Sequence, residues 1–85
     1  MVKIYTDENC PYCNKLKVGL NNLNIKFNEI NVDLPAHKNE VELIFKLAGE
    51  RVIPIIAITP SLLVPKKSFN TIDEALQLIS NLIKK

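Results

Sequence analysis

Cys10 and Cys13 are the chain's two thiols, and only Pro11 and Tyr12 stand between them. A thiol works as a nucleophile in its thiolate form, and free thiols near neutral pH are mostly protonated. The sequence around this pair favours the thiolate. Val2, Ile4 and Tyr5 form a β-rich segment, the polar run Thr6 to Asn9 follows, and helical spacing of Leu16, Leu20 and Leu23 begins after Pro11. Pro11 suits the first turn of a helix, where its missing N–H would have had no partner anyway. Cys10 therefore falls at a helix N-terminus, whose unpaired N–H groups and partial positive charge stabilise an anion. Cys13, one turn further along the same face, can reach the Cys10 sulfur. The chemistry this allows is thiol–disulfide exchange. Cys10 attacks a substrate disulfide to give a mixed disulfide, and Cys13 then attacks Cys10 and releases the reduced substrate. Tyr12 is expected to lie exposed beside the reacting sulfur and to shape the substrate contact.

Two other uses of a Cys-x-x-Cys pair have to be weighed. A closed zinc site needs four ligands, and the other candidates, His37 and Met1, are far away in sequence; no metal site is expected. A purely structural pair would need neither the strand–helix junction nor the proline. His37 follows the turn at Pro35 and reads as a surface residue at a helix start, with nothing nearby in sequence that needs a base.

The elements that must position the pair follow from periodicity. Ile25 to Val32 reads as a strand. Ile25 and Phe27 share one phase while Ile30 and Val32 take the other, which calls for a bulge or for two buried faces. Asp33-Leu34-Pro35 makes a turn. A helix then runs from about Ala36, with Val41, Ile44, Phe45 and Ala48 on one stripe and Gly49 as its left-handed cap. Ile53 to Thr59 looks like a strand buried on both faces, Pro60-Ser61 a turn, and Leu62 to Val64 a returning strand that Pro65 confines to a sheet edge. Asn70 or Thr71 caps a last helix carrying Ile72, Ala75, Leu76, Ile79 and Ile83. Within the Val52-Ile53-Pro54 segment, the proline is either an ordinary edge feature or part of a cis bond. A cis bond would turn the Ile53 backbone toward the Cys10 sulfur, where it could pair with an extended substrate.

The order β-α-β-α-β-β-α implies an α/β fold, a four-stranded mixed sheet with three flanking helices, its first two strands parallel and its last two a hairpin. That order is similar to the thioredoxin-like fold. The 85 residues are expected to make one domain, 1–85, with a core drawn from the 47% of apolar residues. Two cysteines this close could staple only a trivial loop, so packing has to supply the stability. The net charge of +2, from 11 basic and 9 acidic residues, gives no basic face for nucleic acid. Lys66-Lys67 and Lys84-Lys85 read as solvated surface. No apolar run is long enough to span a membrane or to form a signal-peptide core. A soluble, cytoplasmic monomer is expected, in a compartment where such a pair is redox-active rather than structural.

Cys10-Pro11-Tyr12-Cys13, the Ile53-Pro54 strand start and the element order together resemble a dithiol glutaredoxin over essentially the full length. The resemblance implies that Cys10 is the nucleophile, that Cys13 resolves, and that glutathione is the co-substrate, with no bound cofactor. Val52, Ile53 and Pro54 would match the family's Thr-Val-Pro segment, which holds the cysteinyl part of glutathione. Several positions depart from the family. Asp7, followed by Glu8, stands where a lysine is common, and Val52 replaces the threonine. The Gly-Gly pair before the last helix gives way to Ser68-Phe69-Asn70-Thr71. The helix start at Asn70 and Thr71 is left to receive a γ-glutamyl carboxylate, opposed by Asp73. Arg51, ahead of Lys15 and Lys46, is the candidate counter-charge. Disulfide-containing proteins, ribonucleotide reductase among them, are the implied partners. The same departures are compatible with the glutaredoxin-like donors to ribonucleotide reductase that are reduced by thioredoxin reductase. A dimer sharing an iron–sulfur cluster and a non-catalytic interaction module are further alternatives.

Overall fold

The structure, a computed structural model, describes residues 2–84; Met1 and Lys85, named above as a distant metal ligand and as half of the terminal lysine pair, lie outside them. The chain forms strand β1 (Val2–Thr6), helix α1 (Pro11–Asn22), strand β2 (Phe27–Asn31), a 3-10 turn (Pro35–His37), helix α2 (Lys38–Ala48), strands β3 (Ile55–Ile58) and β4 (Ser61–Leu63), and helix α3 (Ile72–Ile83). The four strands make one mixed sheet in the order β2-β1-β3-β4. The expected α/β fold is the observed one, with β1 parallel to β2 and antiparallel to β3, and with β3 and β4 paired as a hairpin.

Alternation along the central strands feeds two cores. Val2 and Ile4 of β1 and Ile56 and Ile58 of β3 face α1 and α3, where Leu16, Leu20, Ile72, Ala75 and Ile79 close over them. Tyr5 and Ile55 face the opposite way and meet Val41, Ile44 and Ala48 of α2. Ile4, Leu16, Leu20, Ile55 and Ile56 are fully buried, and each such aliphatic side chain contributes about 1.5–3 kcal/mol through removal from water. The split phase of β2 is explained by the same two layers. Ile25 and Phe27 pack on the first core and Ile30 and Val32 on the second, so both faces are covered and no bulge is needed. Gly19, which weakens α1 when read alone, lets α1 approach α3. A Cβ there would sit 2.4 Å from Leu76 Cδ1.

Boundaries move in several places. β2 is shorter than the expected 25–32 segment, because α1 ends through Asn24, at φ 57°, and Ile25 N–H still bonds Leu20 O at 2.9 Å. Leu23 therefore sits at the cap, half exposed, instead of extending the buried stripe. The helix expected from about Ala36 opens as the 3-10 turn and becomes α-helical at Lys38. Pro54 precedes β3 rather than lying within it, and Val64 leaves β4 while staying in the second core. Both Ile53-Pro54 and Thr59-Pro60 are cis; the second is not signalled by the sequence.

Two carboxylates tie the layers together. Glu40 of α2 accepts from Lys3 Nζ at 2.9 Å and Tyr5 Oη at 2.7 Å. Glu29 of β2 accepts from the buried Thr6 Oγ1 at 2.6 Å and from Lys17 Nζ of α1 at 2.9 Å. These bonds hold both glutamates below the ordinary value, Glu29 chiefly through Thr6 and Glu40 chiefly through Lys3. A depressed folded-state value stabilises the fold above the unfolded value and is lost as protonation proceeds below it. At the other end of α2, Gly49 takes φ 84° and its N–H bonds Phe45 O at 2.9 Å.

Two outcomes follow for stability. The urea midpoint should fall as pH drops below about 4.5, the ordinary glutamate value, and Glu40→Gln should make that acid loss shallower; an unchanged pH profile in the variant would remove Glu40 from the account. Gly49→Ala should cost about 1 kcal/mol from the left-handed backbone alone, or about 4–8 °C in Tm for a chain of this size, readable by thermal circular dichroism.

Candidate active site

Register explains how distant segments meet. Tyr5 of β1 pairs with Ile55 of β3 in an antiparallel ladder. The chain leaving β1 toward Cys10 and the chain entering β3 through Pro54 therefore emerge at the same end of the sheet. There Cys10 is the N-cap of α1, in extended backbone, with Pro11 at the first helical position. The Cys10 sulfur accepts a hydrogen bond from Cys13 N–H at 3.1 Å, and Asn14 N–H bonds Cys10 O at 3.1 Å. A donor aimed at the sulfur at a helix N-terminus stabilises a thiolate directly. Cys13 is completely buried, and Cys10 is 8% exposed. The two form a disulfide with Cα atoms 5.2 Å apart. Both cysteines are thus largely buried, with Cys10 the more exposed of the two and Cys13 held against it.

Cis Ile53-Pro54 lies beside this pair's end of the sheet. Tyr12, Val52, Ile53, Pro54, Asn70 and Thr71 line one cavity of about 370 Å³, so six of the expected substrate-contact residues are brought together. Tyr12, in the first turn of α1, is 67% exposed, and Pro11 is exposed next to it. Arg51 is not part of this wall. It lines a neighbouring cavity that also reaches Ile53, pairs with Glu42 at 3.2 Å and lies 5.0 Å over the Phe45 ring. Glu42, four residues after Lys38 on α2, faces the loop that carries Arg51, a pairing that periodicity does not report. Lys15 and Lys46 are exposed on α1 and α2, and His37 is half-buried in the 3-10 turn.

The start of α3 is already occupied. Thr71 is its N-cap, and its Oγ1 accepts from Glu74 N–H at 3.1 Å. Glu74 Oε1 in turn accepts from the N–H groups of Asn70 and Thr71, at 3.0 Å each. The Thr71-x-x-Glu74 spacing is a capping box and was there to be read. Pro65, Lys66, Phe69 and Ile72 also line the cavity. Lys66 is exposed, as its reading as solvated surface implies; it takes a left-handed backbone, φ 68°, and forms part of the cavity wall. Three carboxylates, Asp7, Glu8 and Asp33, lie near one another. Asp33 is pushed above the usual aspartate range, first by its hydrogen bond with Asp7 and then by the charges of Asp7 and Glu8. Among the described residues no three His, Cys, Asp or Glu side chains come together as a metal site, and no helix is long and apolar enough to cross a membrane.

Known proteins share both sequence and shape with this chain. Glutaredoxin 3 of Escherichia coli (strain K12) is 42% identical over 57 residues, covering 67% of this chain and 66% of that protein, just under two thirds of its length. The crystal structure of a glutaredoxin from Archaeoglobus fulgidus superposes with a TM-score of 0.72 at 17% identity, over 99% of this chain and 86% of that one. The Escherichia coli glutaredoxin-like protein NrdH-redoxin gives a TM-score of 0.62 at 24% identity, over 85% of this chain and 90% of that one. The family model described as Glutaredoxin matches residues 2–62, from β1 into β4, including both cysteines and both cis prolines. On that match and that identity, the chain belongs to the glutaredoxin family.

Proposed function

We propose that the protein is a glutathione-dependent thiol–disulfide oxidoreductase that reduces protein disulfides or glutathione mixed disulfides through Cys10 and Cys13. The observation that carries this reading is the Cys10–Cys13 disulfide at the N-terminus of α1, with Cys13 N–H aimed at the Cys10 sulfur. In the reduced protein the Cys10 thiolate attacks one sulfur of the substrate disulfide, and the substrate's other sulfur leaves as a thiolate and takes up a proton. Cys13, losing its proton, then attacks the Cys10 sulfur, re-forms the internal disulfide and releases the second substrate thiol. Two electrons pass from the protein pair to the substrate. Two molecules of glutathione restore the dithiol by the reverse exchanges, leaving as oxidised glutathione. Val52, Ile53 and Pro54 form the edge along which the substrate backbone lies; Pro11 and Tyr12 flank the sulfur, and Asn70, Thr71 and Arg51 stand at the rim. No bound cofactor takes part, and the protein acts as a monomer in the cytoplasm.

A second reading is supported by a specific observation. Glu74 occupies the N–H groups of Asn70 and Thr71, and Asp7 and Glu8 precede Cys10, which disfavours an anionic tripeptide. A donor to ribonucleotide reductase, itself reduced by thioredoxin reductase, would not need those determinants. The neighbour NrdH-redoxin, described as having a thioredoxin-like activity profile, shares this fold.

Reduction of a glutathione mixed disulfide, coupled in parallel to glutathione reductase with glutathione and to thioredoxin reductase, separates the two. Turnover is expected with glutathione. Cys10→Ser should bring it down to the uncatalysed rate, and Cys13→Ser should keep part of it, because a mixed disulfide with glutathione can be resolved by a second glutathione. Turnover with thioredoxin reductase alone would transfer the assignment to the second reading.

A further inference from the structure

Lys66 is the cavity-lining residue whose role neither the fold nor the exchange chemistry explains. Its neighbour Lys67 is used structurally: Lys67 Nζ donates to Ala48 O at the end of α2 and lies 3.8 Å from Glu50. Lys66 is held differently. Its N–H bonds Phe69 O at 2.7 Å, and Pro65 and Phe69 form an isolated β-bridge, which closes a tight loop before α3. Inside that loop Lys66 takes φ 68°, a backbone region that L-residues with a Cβ rarely adopt. Among the described residues, no carboxylate lies within 4.0 Å of its amino group. It is also the cavity's one side chain with a permanent positive charge, the remaining walls being Tyr12, aliphatic and aromatic groups, and the polar Asn70 and Thr71. The backbone donors on that wall that would otherwise attract an anion are spent on Glu74.

We propose that Lys66 is a specificity residue that recognises a carboxylate carried by the disulfide substrate near its reacting sulfur. The inference rests on the thiol–disulfide reading above and names the chemistry its cavity selects. An unpaired ammonium on an otherwise uncharged wall lowers the free energy of an anionic group there, whereas Glu74 leaves no backbone N–H to do so at Asn70 or Thr71. The carboxylate can belong to glutathione or to an acidic residue beside a protein cysteine.

The test is single-turnover oxidation of the pre-reduced full chain, acid-quenched and counted by mass after alkylation. Three disulfides are compared: oxidised glutathione, its tetramethyl ester, which keeps the shape without carboxylates, and a peptide disulfide with a glutamate next to the cysteine. Lys66→Gln should slow the reaction with oxidised glutathione about two- to fivefold, the size an exposed ion pair supports. The ester should react as before or faster, since its ammonium groups no longer meet a like charge. Lys66→Arg should restore the glutathione rate. Raising ionic strength from about 0.01 M to about 1 M should erase the difference between native chain and Lys66→Gln. A glutamate peptide that is slowed in Lys66→Gln would extend the recognition to protein substrates, and one that is not would confine it to glutathione. Equal effects on glutathione and ester, or none on either, would overturn the assignment of Lys66 while leaving the exchange reaction standing. Failure of all three disulfides to oxidise the native chain would instead overturn the oxidoreductase reading, and this inference with it.

Discussion

The antiparallel register between β1 and β3 is the constraint on which the site depends. Residues 2–6 and 55–58 are far apart in sequence, yet the pairing of Tyr5 with Ile55 brings the end of one strand next to the start of the other. Everything with chemical character then emerges at one end of the sheet: Cys10 six positions into the chain from Ile4, and Pro54 one residue before β3. A slip of one residue in this ladder would exchange the faces of Ile55 and Ile56. It would also exchange their partners in the two cores, so the burial that stabilises the fold also fixes the alignment of the site. The chemistry needs no separate device to hold the cysteine loop and the proline loop together.

Polar ties reinforce the same strand. Among the described residues, β1 is the one strand bonded by a parallel neighbour on one side, β2, and an antiparallel neighbour on the other, β3. Its half-buried Lys3 and its buried Tyr5 both reach Glu40, and its last residue, Thr6, donates to Glu29. The Thr6 hydroxyl is the buried polar side chain of the core, and it is satisfied, which avoids the cost of an unpaired hydroxyl in the interior. The carboxylates come from β2 and α2, elements on either side of the sheet's end. Each fastens the strand that leads into Cys10 to a neighbour, and each draws its strength from charge-assisted bonds at 2.6–2.9 Å.

The parts of this arrangement legible in the sequence are those that repeat or that sit next to each other. The stripes Leu16/Leu20, Val41/Ile44/Ala48 and Ile72/Ala75/Ile79 mark three helices because burial recurs at the helical period. Cys10 reads as a cap because Pro11 follows it. The split phase of Ile25/Phe27 against Ile30/Val32 holds its answer once helices are known to cover both faces. Other features depend on through-space meetings that leave no periodic trace. Gly19 looks like a defect until α3 brings Leu76 against it. Arg51 reads as a counter-charge for a ligand, and its ion pair with Glu42 of α2 is a through-space meeting that the spacing does not report. Lys66 and Lys67 look alike as letters, and the loop conformation, set by the Pro65–Phe69 bridge, sends one to the cavity and the other to the end of α2. The Thr71-x-x-Glu74 box is a different case, since its spacing is local and readable, and it claims the same N–H groups that a helix start would offer a ligand.

The acidic approach to Cys10 raises the question of which electrostatic influence governs the sulfur. Asp7, Glu8 and Asp33 oppose a thiolate, and Asp7 stands where the family commonly has a lysine. Asp7 is committed locally, since its Oδ1 accepts Asn9 N–H at 3.0 Å and shapes the turn into the helix. Asp33 and Glu8 are exposed, so water and salt screen their effect; two unit charges about 4 Å apart in water interact by only ~1 kcal/mol, and less at greater range. Asp33 also keeps its proton to higher pH than an ordinary aspartate, because of Asp7, which trims the negative charge at the acid end of the range. The influence of the helix is of another kind. Cys13 N–H points at the Cys10 sulfur from 3.1 Å within a nearly buried site, where the local dielectric is low and the donor is fixed by the helix itself. A short, fixed, desolvated donor outweighs exposed and screened carboxylates. On the proposed reading the loop can therefore carry Asp7 and Glu8 without forfeiting Cys10 as the nucleophile, and the acidic residues would act on which partners approach more than on the sulfur itself.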